Sequence, residues 1–125
     1  GSVAGNGDST RTAHLIHNWY GSRAKRRFAE RLATCFPRLQ PLGVEYPVLA
    51  IRNMKVRWGS CSARGRITLN LNLIYVPKDL IDYVVIHELC HLKEHNHTPA
   101  FYALLERVLP DWRERRRRLN QFEVR

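Results

Sequence analysis

The stretch that most limits what this chain can fold into is Leu80 to Leu92, apolar nearly all round and interrupted by two acids, Asp82 and Glu88. A helix that is apolar on every side belongs in an interior. Asp82 falls near the exposed start. Glu88 falls deep inside, where an unpaired carboxylate is costly unless a neighbour justifies its charge. That neighbour is written beside it, because His87-Glu88-Leu89-Cys90-His91 reads His-Glu-x-x-His. Residues at i and i+4 share one helix face, so both imidazoles can grip a single Zn²⁺. Glu88 then stands within reach of a water on that ion without being a ligand. The stretch predicts a buried metal helix with His87 and His91 as ligands and Glu88 as catalytic carboxylate.

A catalytic zinc takes three protein ligands and keeps one position for water. His95 and His97 are the nearby candidates for the third. His95 continues the i, i+4 stripe, but on one straight helix the span from His87 to His95 rises ~11–12 Å, too far to enclose one ion. His97 lies past the helix end, and Asn96, a residue tolerant of left-handed backbone, can reverse the chain to bring it back. The expected triad is therefore His87, His91 and His97, holding one Zn²⁺ per chain. Cys90 points off that face and belongs to the core. The His-Glu-x-x-His-x5-His spacing matches metzincins, but Glu94 stands where they have glycine and the only methionine, Met54, lies upstream. Both facts argue against that group.

With 125 residues and 44% hydrophobic content, the chain supports a single domain with its own core. Three cysteines without a Cys-x-x-Cys pair fit a reducing, cytoplasmic setting better than a disulfide framework. No apolar run reaches the ~18–20 residues of a membrane span. The balance of 21 Lys+Arg against 11 Asp+Glu, net +10, favours polyanionic neighbours, including non-specific nucleic acid, without specifying one. Residues 1–9 read as a tag remnant and disordered lead-in, and 10–125 as the domain, the C-terminal part of a longer protein.

Along the chain, Leu15, Trp19, Ala24, Phe28, Leu32 and Cys35 recur at mostly helical spacing, with Ile16 and Tyr20 beside them. Arg23, Lys25, Arg26, Arg27 and Arg31 form the outer basic face. Gly21-Ser22 is a place to kink or divide this helix, and Pro37 ends it. Tyr46–Arg52 and Lys55–Ser60 read as strands joined by a bend at Asn53-Met54. Ile67, Leu69, Leu71 and Leu73 alternate with Thr68, Asn70 and Asn72, a third strand with one apolar face. Three consecutive short strands suggest an antiparallel sheet. The polar face of the third is expected to hold the histidines' second nitrogens. Pro77 opens the metal helix. Thr98-Pro99 caps and starts the next, with core residues Phe101, Leu104, Leu105 and Val108. Pro110-Asp111 breaks it before a last basic helix held by Trp112 and Leu119. Trp58 reads as core.

Several linked motifs now stand together: Arg57-Trp58-Gly59-Ser60-Cys61-Ser62, Ile67-x-Leu69-Asn70, Pro77, Asp82 through Leu92, and Asn96-His97-x-x-x-Phe101. Over Leu42 to Leu119 the chain resembles the YgjP-like metal-dependent hydrolases, zincin relatives grouped with SprT-like and WLM-type metalloproteases. The resemblance implies an α+β, minimal zincin-like fold in which a small antiparallel sheet packs on the metal helix between N- and C-terminal helices. It implies zinc at His87, His91 and His97, with Glu88 catalytic. Tyr102 and Thr98 stand where the family often has Trp and Ser.

The chemistry expected is metal-assisted hydrolysis by a metallopeptidase, with Glu88 as general base towards a metal-activated water. Arg57, Asn70 and Tyr102 are candidates to stabilise the oxyanion or touch substrate. Two alternatives stay open. One is a nucleotide pyrophosphohydrolase, using Arg52, Lys55, Arg57, Arg64 and Arg66 on phosphates. The other is a nucleic-acid-associated protease that touches phosphates through Arg23–Arg31 or Arg113–Arg118.

Overall fold

In a computed structural model, the backbone is described for residues 7–122 and the side chains for residues 21–122. Leu15, Ile16, Trp19 and Tyr20, expected on the first helix face, lie outside the described side chains. Residues 1–6 of the expected lead-in lie outside the described residues altogether.

Helix α1 runs unbroken over Gly7–Cys35, so Gly21-Ser22 does not divide it. Ala24, Phe28, Leu32 and Cys35 are its buried stripe, at the spacing of one helix face. Arg23, Lys25, Arg26 and Arg27 are exposed as expected, but Arg31 is buried. Its Nε and Nη2 donate to the two carboxylate oxygens of Asp82 at 2.6 and 2.8 Å, which also leaves Asp82 only partly exposed. Pro37 stops the helix by opening a 3₁₀ turn over Phe36–Arg38.

Three strands follow: β1 (Val48–Arg52), β2 (Gly59–Cys61) and β3 (Arg66–Asn70). The sheet order is β1-β3-β2, with β2 antiparallel and β1 parallel to β3. The expectation of a wholly antiparallel sheet is corrected to a mixed one. The reason lies in residues 53–58, which cross the end of the sheet instead of turning back as a hairpin, so β2 takes the far edge. A tight turn at Ser62–Gly65, with Gly65 at φ 87°, then returns β3 between the two. A parallel pair needs a connection of roughly a dozen residues or more, which 53–65 supplies.

The third strand also stops earlier than its period-two pattern, because Asn70 intervenes. Asn70 is fully buried, and its Oδ1 accepts from Asn72 N–H at 3.0 Å, which turns Leu71–Tyr75 into a 3₁₀ helix. Its Nδ2 donates to the carbonyls of Met54 at 2.9 Å and Arg57 at 2.7 Å. Those bonds hold 53–58 as an ordered loop in place of the expected second half-strand.

Helix α2 (Lys78–His91) is the centre of the molecule, with Pro77 just before its first turn. Ten of its residues are buried, among them Ile81, Val85 and Leu89 at full burial. At ~1.5–3 kcal/mol for each large apolar side chain taken from water, this helix is the main source of core stability. It packs against α1, β2, β3 and the two later helices. Helix α3 (Pro99–Val108) is capped by Thr98, whose Oγ1 accepts from Phe101 N–H, and α4 spans Trp112–Leu119, anchored by buried Trp112 and Leu119. Among the described residues, no helix is long and apolar enough to cross a membrane.

Candidate metal centre

Five residues of α2, from successive turns and neighbouring faces, converge on one cleft: Tyr83, Val84, His87, Glu88 and His91. After His91 the chain leaves the helix, with Leu92 as its C-cap. The reversal that returns His97 needs no left-handed residue, since no non-glycine among the described residues has positive φ. The expected role of Asn96 is therefore replaced by a three-residue turn in which Thr98 N–H bonds Asn96 C=O at 2.8 Å, with His97 at its apex. Thr98 then caps α3, so the same residue closes the turn and starts the next helix.

The outcome is a cluster in which one ring nitrogen each of His87, His91 and His97 lie within 4.8 Å of one another. His91 Nε2 stands 3.0 Å from His97 Nε2. Two ring nitrogens facing each other this closely need a shared proton or a cation between them. Three imidazole nitrogens this close together are a donor set that would suit a divalent ion such as zinc. The residues present therefore fit a metal. His95 lines the same cleft but stands outside the cluster.

The polar face of β3 was expected to hold the second nitrogens, but for His87 and His91 other groups stand there. His91 Nδ1 meets the carbonyl of Glu94 at 3.1 Å, and His87 Nδ1 meets Glu88 Oε2 at 3.2 Å. Protonated at Nδ1, each ring offers Nε2 as a lone pair. Burial lowers the pKa of His91, with Glu88 and the Glu94 carbonyl opposing and the other two imidazoles adding. Phe101, expected only as core, is fully buried behind the cluster. Its ring centroid lies 5.0, 4.4 and 4.9 Å from those of His87, His91 and His97, and it stacks on His91.

The cleft has a volume of about 510 Å³. One wall is β2, whose outer edge has no strand partner among the described residues and whose three residues all line the cleft. Gly59 makes the close approach possible, because a Cβ there would stand 3.0 Å from Val84 Cγ1 and 3.2 Å from both Cγ and Oε2 of Glu88. Trp58 both lines the cleft and packs on the core.

Of the three residues expected to meet substrate, the structure places one on the cleft. Arg57 lines the cleft and is exposed. Asn70 is spent on the 53–58 loop. Tyr102 stacks on Trp112 at 5.5 Å, with its ring 6.0 Å from His97, outside the cleft lining. Tyr83 was missed, although its place four residues before His87 puts it on the same helix stripe. Burial pushes its phenol up to about 12, with Arg116 opposing, so it keeps its proton at neutral pH. Cys61, also on the wall, is raised to about 11 by burial and then by Glu88, which leaves it a thiol and no nucleophile. Of the five basic residues grouped for a nucleotide, Arg57 alone reaches the cleft.

Solved structures share this architecture, among them two metallopeptidase zymogens. The zymogen of abylysin, a metallopeptidase of Pyrococcus abyssi, is 25% identical with a TM-score of 0.65, over 76% of this chain and 94% of its own. The zymogen of jannalysin, a metallopeptidase of Methanocaldococcus jannaschii, is 22% identical with a TM-score of 0.63, over 75% of this chain and 94% of its own. A comparison with curated protein sequences found no significant match. The fold is thus that of a metallopeptidase. The chain belongs to the YgjP-like metallopeptidase-domain family, whose model matches residues 2–122. Membership implies a metal ion, and the three-histidine cluster is the group among the described residues that could hold it.

Proposed function

We propose that the protein is a zinc-dependent peptidase, with the ion on His87, His91 and His97 and with Glu88 as general base. The observation that carries this reading is the convergence of the three imidazoles beside a buried carboxylate, in a cleft walled by a free strand edge. When bound, a zinc ion lowers the pKa of a water from ~15.7 towards ~7 and polarises a carbonyl. The chain's own residues supply the rest. Glu88 takes the proton from the attacking water and hands it to the leaving amine, a contribution of typically ~10²–10⁴-fold. An extended peptide adds to the outer edge of β2, whose backbone groups fix the scissile bond over α2. Tyr83, protonated and on the stripe of His87, donates to the oxygen that gains negative charge.

The test is cleavage of a peptide library by wild type and Glu88→Gln, with metal content measured on the same samples. Cleavage by wild type and a loss of at least ~10²-fold in the variant at equal metal content is the expected result. Equal rates in both proteins would remove Glu88 from the chemistry. Release of pyrophosphate from nucleoside triphosphates with no peptide cut would overturn the peptidase reading.

A further inference from the structure

Helix α4 carries five arginines in six positions, Arg113 and Arg115–Arg118. Four of them are paired to carboxylates: Arg113 with Glu106, Arg115 with Asp111, Arg117 with Glu114 and Arg118 with Asp79. Arg116 is the exception. It makes no ion pair among the described residues, and it is the arginine of α4 that lines the cleft. Its guanidinium lies 4.9 Å from the ring centroid of buried Trp112, a cation–π contact that holds the head group in place while leaving its donors free. Arg57, delivered from the 53–58 loop that Asn70 fastens, is the second guanidinium on the cleft and likewise makes no ion pair among the described residues. Against these two, Glu88 is the only carboxylate among the described residues that lines the cleft.

Unpaired cations are common on a chain of net +10; these two stand out because they come from separate elements and line one cleft. Two guanidiniums without an ion pair among the described residues, beside one carboxylate that the proposed reaction uses, give the cleft a positive side that suits an anionic group. A planar guanidinium recognises a carboxylate through paired N–H donors. We infer that the cleft selects peptides that present a carboxylate close to the scissile bond, bound by Arg116 and Arg57. This rests on the peptidase reading and names its substrate class. The carboxylate can come from an acidic side chain or from the free C-terminus of the peptide, and the two are separable by experiment.

The test compares sets of otherwise identical peptides. In one, an internal Glu or Asp is matched against Gln or Asn, with the terminus amidated. In the other, a free C-terminus is matched against its amide, with no internal acid. We expect kcat/KM to favour the carboxylate in one set by about tenfold, and the preference to shrink at high salt. The set that shows it identifies the source. In Arg116→Ala the ratio of acid to isostere should fall most of the way to one, with Arg116→Lys in between. The same peptides, fluorescently labelled, are titrated into Glu88→Gln by anisotropy, which reads binding without turnover. Tighter binding of the acid, lost in Arg116→Ala/Glu88→Gln, supports the inference even if no peptide is cut, an outcome that would instead sink the peptidase reading. Parity of acid and isostere in binding, or an acid preference that survives in the Arg116→Ala background, overturns it.

Discussion

Replacing Gly59 by alanine asks whether the close approach of β2 to α2 sets the position of the general base. Gly59 is paired with Leu69 in the ladder and has no positive φ, so alanine meets no backbone penalty there. It even gains ~0.4–1 kcal/mol by restricting the unfolded chain. The cost is steric. The new Cβ would stand 3.0 Å from Val84 Cγ1 and 3.2 Å from Glu88 Cγ and Oε2, where carbon contacts prefer ~3.5–4.0 Å. Strand and helix must part by roughly 0.5 Å, or the Glu88 side chain must rotate away. Overpacking of this kind costs ~1–3 kcal/mol, so the net loss of stability is expected near ~0.5–2 kcal/mol. The larger effect falls on rate, since a misplacement of ~1 Å can cost ~10²-fold and half that shift still costs about tenfold. The assay is kcat on a cleavable peptide, alongside urea unfolding and metal content. A rate loss of about tenfold or more is expected, with one metal still bound. A variant with wild-type kcat and unchanged stability would refute it.

Two other perturbations separate parts of the structure. Arg31→Met leaves Asp82 half-buried without its bidentate partner and should cost ~3–5 kcal/mol in urea unfolding, while Arg31→Met/Asp82→Leu recovers most of that. A loss under ~1 kcal/mol would mean that the pair is effectively solvated. Phe101→Leu keeps the core filled but removes the ring shared by the three imidazoles, so metal affinity in a chelator competition should fall by ~10–100-fold. Unchanged affinity would show that other contacts fix the rings.

The features legible in the sequence were those encoded within a few residues. The apolar surround of α2 gave its burial, and Thr98-Pro99 gave the start of α3. The rise of a straight helix was enough to favour His97 over His95, and the structure brings His97 to the cluster and leaves His95 outside it. What was missed depends on partners far away in the chain. Arg31 reads as one more cation on a basic face until Asp82, 51 positions on, is placed against it. The third strand's alternation continues through Leu73, but Asn70 ends it by capping a 3₁₀ turn and holding the carbonyls of Met54 and Arg57, a choice no period reveals. The strand order followed from that same loop crossing the sheet end. Gly59 looks like an ordinary strand glycine until α2 lies against it. Arg116 is one arginine in a run of four, and only the pairing of its neighbours singles it out.

The proposed chemistry depends on one metal held by His87, His91 and His97. The most direct test is a zinc titration, read as bound metal per chain, of wild type, His95→Ala and His97→Ala. One tightly bound ion is expected in wild type and in His95→Ala, and a markedly weaker one in His97→Ala. Retention of tight binding by His97→Ala, or its loss in His95→Ala, would contradict that site.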